Sequence, residues 1–275
     1  MRTGCYLFCL AKGGCLPRLT GTGLDGRSTL SILGYRDIAA LYCPVRVDEF
    51  VGPGAAARMQ DHAWLASRAC RHEEVVEEAM RHSPLLPVRF GAVFPSRRSL
   101  GRILQRDYRM IAGFLERLAF QEKWVVKGMV LKAQATPGLV PPAVSGKLLA
   151  SPLRRRPSRE TVLNYWWEEA CDQVMEELRG YAADFRRRPV RHDAVNGREM
   201  VVNAAFLLPR KVVQDFRTRL KIANFRFASR GLVFEFSGPW PPYSFSPDLE
   251  PEQEPRLGPP VSGRPLRSEA ISKNL

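Results

Sequence analysis

A chain of 275 residues with 45% hydrophobic and 25% charged content lies inside the globular range and is long enough for one large core or two modest ones. No segment approaches a membrane-spanning run of apolar residues, and the six cysteines form no C-x-x-C pair, so neither a membrane helix nor a metal site is expected. The formal net charge of +14 favours an acidic or polyanionic partner, but 34 of the 42 basic residues are Arg and they form no concentrated stripe: residues 1–132 hold 20 Lys+Arg against 12 Asp+Glu, and residues 133–245 hold 18 against 11.

Residues 5–10 predict a first strand on which Cys5, Leu7 and Cys9 alternate as buried side chains. A Gly-rich connection from Gly13 to Gly26 follows. Strands over 29–33 and 38–43 then form a hairpin around Gly34, the second ended by Pro44. From Ala57 to Arg81 the positions Leu65, Ala69, His72, Val76 and Ala79 fall at helical spacing and predict one core helix, which Ser83-Pro84 breaks. Leu86, Val88, Phe90, Ala92 and Phe94 alternate as a strand up to Pro95. A helix after Ser96 carries the stripe Leu100, Ile103, Leu104, Ile111, Phe114, Leu115 and Leu118, and a strand over 124–132 closes the unit. This order predicts an α+β domain over 1–132, with its helices on one face of a mostly antiparallel, ferredoxin-like sheet.

Residues 133–159, with Pro137, Gly138, Pro141, Pro142, Pro152 and Pro157 around Arg154-Arg155-Arg156, read as a linker. A smaller α+β domain is expected over 160–245. Ser158 caps a helix whose inner stripe is Leu163, Trp166, Trp167, Ala170, Val174, Leu178, Tyr181 and Phe185, ended by Arg186-Arg187-Arg188-Pro189. A strand over 200–208, a helix opened by Pro209 and a last strand over 232–236 complete it. Residues 246–275 have too few large apolar side chains to offset the entropy of ordering and are expected to be disordered.

The last strand runs into Gly238-Pro239-Trp240-Pro241-Pro242-Tyr243-Ser244-Phe245, where three prolines in four positions predict that the sheet stops. The aromatic rings that follow need a surface, either on this molecule as a terminal clasp or on another protein. Candidate protein-interaction residues are therefore Trp240, Tyr243 and Phe245, the preceding Phe234 and Phe236 on a strand whose edge another chain can extend, and the pair Trp166-Trp167, too wide for one helical stripe.

Four stretches carry a resemblance: Leu86-Pro87-Val88-Arg89-Phe90-Gly91, Trp64-Leu65-Ala66 through Arg71-His72-Glu73, Asn203-Ala204-Ala205-Phe206-Leu207, and the closing Gly238 to Phe245. Together, in this order, they resemble the gas vesicle protein L/F family. The resemblance implies a two-domain protein with a modified ferredoxin-like first domain, acting as a minor component or assembly factor of gas vesicles. It implies contacts with the shell protein and other accessory proteins, a place on the vesicle reached from the cytoplasm, and neither catalysis nor a cofactor. The chain departs from the family pattern after Gly146-Lys147-Leu148-Leu149, where Pro152 and Pro157 intervene.

Catalytic signatures are absent from the sequence: no nucleophile elbow, no phosphate loop, and no return of His62, His72 and His82 to one helical face. His72 reads as a core histidine held by a carboxylate, and Glu73, Glu74, Glu77 and Glu78 as a solvated face. Arg89 is expected to face solvent or to pair with a helix carboxylate such as Glu77. The alternative function is a basic nucleic-acid-binding module built on Arg154–Arg156 and Arg186–Arg188, and the lack of interleaved aromatics argues against it.

Overall fold

A computed structural model describes residues 2–16, 21–131, 159–190 and 197–249. Strand β1 (Thr3–Lys12) is buried without interruption from Gly4 to Ala11, the pattern of a strand covered on both faces. It pairs antiparallel with β3 (Ile38–Arg46), β4 (Leu85–Pro87) and β5 (Val93–Phe94), while β3 pairs with β2 (Ser31–Tyr35), giving the order β2-β3-β1-β4. The hairpin turn falls at Arg36-Asp37, where Arg36 takes the positive φ of 52° that a two-residue connection requires. A register shift between Leu7 and Cys9 interrupts the expected alternation, because the extra residue of a bulge turns Cys9 to the face opposite Cys5 and Leu7.

The helix expected over 57–81 is two helices, α1 (Pro53–Gln60) and α2 (His62–His82). Asp61 separates them: its carboxylate accepts the N–H groups of Ala63 and Trp64, both at 3.1 Å, and starts α2 afresh. The next helix also divides, into α3 (Arg97–Arg106), capped by Ser96, and α4 (Tyr108–Leu118). The strand expected over 86–94 survives only as β4 and β5, with the chain turning between them. Val75, Val76 and Ala79 of α2 cover Tyr6 and Phe8, whereas Leu100, Ile103, Leu104 and Ile111 cover Leu7 and Leu10. Helices therefore lie on both faces of this sheet, not on one, as the two-sided burial of β1 demands.

A second antiparallel sheet has the order β7-β8-β6-β9, with β6 at Gln121–Leu131, β7 at Asp184–Arg187, β8 at Arg198–Pro209 and β9 at Leu232–Trp240. β6, expected to close the first unit, is instead a central strand here, pairing Val125 with Ala205 and Val126 with Phe236. Helices α5 (Arg159–Arg179) and α6 (Val213–Phe227) cover one face, packing Trp166, Trp167, Val174 and Phe216 on Trp124, Val126 and Phe206. α5 stops before Gly180, so Phe185, Arg186 and Arg187, expected at its end, belong to β7, and Arg188 follows that strand. Ala205 and Leu207, on the other face, share a core with Phe114, Leu115 and Leu118 of α4. The layers run α2, first sheet, α3–α4, second sheet, α5–α6. Of the linker expected over 133–159 all but Arg159, which opens α5, lies outside the described residues, as do the Ser158 cap and residues 250–275 of the expected tail; its first four residues, 246–249, are described, with Asp248 paired to Arg89 and Leu249 packed on the core.

Candidate protein-interaction site

The seven aromatic residues singled out from the sequence separate by environment. Trp166 and Trp167 are both buried beneath α6: Trp166 meets the edge of Phe227 at 5.9 Å with the Arg230 guanidinium 5.1 Å above its ring, and the Trp167 indole N–H donates to the Arg230 carbonyl at 3.2 Å. Phe234 is buried in the same core. Phe236 is half-buried, stacked on Trp124 at 4.5 Å with an interplanar angle of 11°, beside Phe216 and under the Arg217 guanidinium.

The edge of β9, read from the sequence as open to another chain, is occupied at its centre. The Asn224 side-chain amide of α6 accepts from the Phe234 N–H at 2.6 Å and donates to the Phe234 carbonyl at 2.9 Å, reproducing what a neighbouring strand would offer. The strand also continues past the predicted stop, through a cis Gly238-Pro239 peptide to Trp240, which pairs with Lys123 across a register shift. Proline is tolerated there because β9 is an edge strand whose outer side needs no ladder donor. Gly238 sits at φ 138°, and an added Cβ would lie 3.0 Å from both the Lys123 carbonyl and the Trp124 ring, so only glycine fits.

Beyond Trp240 the chain leaves the second sheet and straddles the first. Tyr243 packs in the core on the α2 side, whereas Phe245, two residues on, is buried in the core on the α3–α4 side. A single turn (Tyr243–Phe245) places the rings, held by Phe245 N–H to the Pro242 carbonyl at 2.9 Å and the Ser246 hydroxyl to the same oxygen at 3.1 Å. Buried Lys123 donates its Nζ to the Pro241 carbonyl at 2.9 Å; burial, with Arg188 nearby, pushes its pKa down to about 8, partly offset by Glu73. The clasp is thus an intramolecular staple between the two sheets.

A buried chain of polar groups anchors it. His72, 1% exposed, contacts the Tyr6 hydroxyl through Nδ1 at 2.9 Å and the Tyr243 hydroxyl through Nε2 at 3.0 Å. The Gly91 N–H donates to the Tyr6 oxygen at 3.3 Å. One assignment satisfies every group: Tyr6 donates to Nδ1, Nε2–H donates to Tyr243, and Tyr243 donates to the Glu73 carboxylate. Burial pushes the imidazole pKa down to about 4, opposed by a backbone contact at Val88, so the ring is neutral; burial likewise raises Glu73 and both phenols. His72 is accordingly a core histidine held by two tyrosines rather than by a carboxylate. Arg89 pairs with Asp248 at 3.6 Å, not with Glu77, and Glu74 and Glu78 pair with Arg71 and Arg81. Among the described residues no group of three metal-ligating side chains occurs, and no helix is long and apolar enough to cross a membrane.

One candidate remains partly outside. Trp240 is 41% exposed, its indole N–H held by the Ser237 hydroxyl at 3.1 Å, which fixes the ring at the rim of the second sheet.

The sequence pattern of the gas vesicle synthesis protein GvpL/GvpF family matches residues 4–247. The chain belongs to that family. A gas vesicle protein L from Streptomyces sp. (strain CB03234) is 29% identical over 254 residues, covering 88% of this chain and 92% of that protein. The crystal structure of the gas vesicle protein GvpF from Anabaena sp. PCC7120 superposes with a TM-score of 0.64 at 19% identity, covering 90% of this chain and all of that one. That of GvpF from Microcystis aeruginosa gives 0.60 at 18%, with 88% and 98% covered. This GvpL/GvpF chain therefore has the GvpF-like α+β arrangement of two antiparallel sheets with helices, in a gas vesicle family not known for catalysis.

The staple's partners were not among the residues read as functional. Tyr6 and Lys123 sit on otherwise regular elements, and the signal for each is a polar atom at a position that burial makes costly unless it is paired. Lys123 carries the clearest such signal, since it shares the inward side of β6 with Val125.

Proposed function

We propose that this chain is an accessory protein of gas vesicle assembly, working by contact with the shell protein and other gas vesicle proteins rather than by chemistry on a substrate. Family membership across residues 4–247 is the observation that carries the reading. Within it, the chain is organised as two α+β units, one per sheet, the first a modified ferredoxin-like unit. The contact surface is the rim of the second sheet at Trp240, whose ring is held rigidly while much of it faces outward, the character of an interface anchor. Tyr243, Phe245, Phe234 and the two adjacent tryptophans support that rim from within. Of the basic clusters behind a nucleic-acid role, Arg186 and Arg187 already pair with Asp184 and Asp172.

The test is co-purification with the main shell protein under nuclease and stepwise salt. Retention through both treatments, with Trp240→Ala abolishing it while leaving the melting temperature close to that of the parent, is the expected result. Loss on nuclease treatment alone would replace this reading with a nucleic-acid one.

A further inference from the structure

Among the described residues, three of the four sheet edges are closed by visible devices. Asn224 occupies the Phe234 backbone on β9, and Pro239 on the same edge has no N–H to offer. β7 is four residues long and carries Arg186 and Arg187, a short, charged edge of the kind that resists pairing. The β4–β5 side of the first sheet is interrupted, and the clasp straddles that sheet with one ring in the core on each of its faces. The fourth edge, β2, has none of these. Its sequence Ser31-Ile32-Leu33-Gly34-Tyr35 holds no charge and no proline, and no strand lies beyond it among the described residues.

The register fixes which groups point outward. The two-residue turn makes Tyr35–Ile38 a hydrogen-bonded pair, so Leu33 and Ser31 also bond to β3, while the N–H and C=O groups of Ile32 and Gly34 face away. Ile32 is 38% exposed, and nothing lies within 4 Å of a Cβ built on Gly34. An exposed branched side chain and an empty position two residues along are complementary to each other when the strand meets its own copy antiparallel.

We propose that β2 pairs antiparallel with β2 of a second copy of this chain, about a two-fold axis through Leu33. In this register Ile32 lies opposite Gly34 of the partner copy and Gly34 opposite its Ile32. The outward groups of both residues then bond across the axis, with Leu33 facing its own counterpart. The isologous arrangement uses one patch twice and closes, so it makes a dimer and not a filament. It also joins the two first sheets into one continuous sheet, and the α3 helices, which pack against β2, come to flank the junction.

The experiment is sedimentation velocity of the full chain over a range of concentrations, with two variants on the exposed edge. Ile32→Lys places a charge on each side of the axis, and with two symmetry-related pairs disturbed it weakens self-association by about tenfold. Adding Gly34→Glu sets each lysine opposite a carboxylate of the other copy and restores the dimer. Both positions are exposed, so melting temperatures close to the parent's are expected to show that the fold is intact. As a check independent of both, Leu33→Cys in a background lacking the exposed Cys15 and Cys70 should give a disulfide-linked dimer on mild oxidation, since counterparts facing each other in a non-hydrogen-bonded pair lie about 4.5 Å apart. A parent chain that stays monomeric at every concentration overturns the proposal. So does a dissociation constant left unchanged by Ile32→Lys, a double variant that associates no more tightly than Ile32→Lys alone, or a dimer in which Leu33→Cys does not cross-link.

Discussion

His72 joins three parts of the chain that are far apart in sequence, β1, α2 and the clasp, through one neutral imidazole. Removing the Tyr243 hydroxyl by Tyr243→Phe leaves the ring in place but orphans the buried Nε2–H, and a loss of about 1–3 kcal/mol is expected, seen as a lower urea midpoint at unchanged slope. The pH dependence follows from the same ring. Its pKa is about 4 when folded and near 6.5 when unfolded, so the unfolded state binds more protons between those values. Stability from this residue is complete above pH 6.5 and is lost as the pH falls towards 4, by about 3 kcal/mol at most. Glu73, whose pKa is raised, has the opposite slope and partly offsets it. Urea midpoints measured from pH 7 to pH 4 in the parent and in His72→Gln should show a steeper fall in the parent; parallel curves would contradict a neutral buried His72.

Single elements show which signals were legible in the sequence. The stripes that form α2, α3, α4, α5 and α6 were readable because each element buries one face, and helical spacing reports that directly. Their ends were less so: Asp61 and Asp107 interrupt continuous stripes by local effects that leave the spacing of apolar residues unchanged. Phe185 kept helical phase with Tyr181 although its backbone is extended, because a core accepts a ring from either kind of element. The membership of β6 was hidden for a different reason: alternation states that a strand has two faces, not which strands flank it. Among the candidate site residues the sequence identified the aromatic segment but not its direction, and Trp240 differs from Tyr243 and Phe245 only in what lies around it. At this scale Asn224→Ala tests the closed edge of β9. It removes both bonds to Phe234, costs about 1–3 kcal/mol, and exposes a pairing edge, so light scattering on heating should begin at a lower temperature than the loss of stability alone explains.

For the whole molecule, the shared core between the sheets decides how it responds to stress. Phe114, Leu115 and Leu118 of α4 face Ala205 and Leu207 of the second sheet, and Phe245 completes that layer. The two sheets are therefore expected to unfold together. Phe245→Ala should cost about 3–5 kcal/mol, in contrast to the near-neutral effect of Trp240→Ala on melting, because only the first leaves a cavity. Tryptophan fluorescence, dominated by Trp124, Trp166 and Trp167 in the core between the second sheet and α5–α6, should then change at the same denaturant concentration as hydrogen exchange at β1. Two separated transitions would show that α4 and the clasp do not couple the sheets.

The staple also orders events in time. Tyr6 leaves the ribosome long before Tyr243, yet both bind the same imidazole. Until translation has passed Phe245, His72 lacks one of its partners and both faces of the first sheet lack a ring. The first sheet therefore stays incompletely closed on the ribosome, open to whatever holds nascent chains, and a product ending before Phe245 is expected to be degraded rather than to work as a smaller protein.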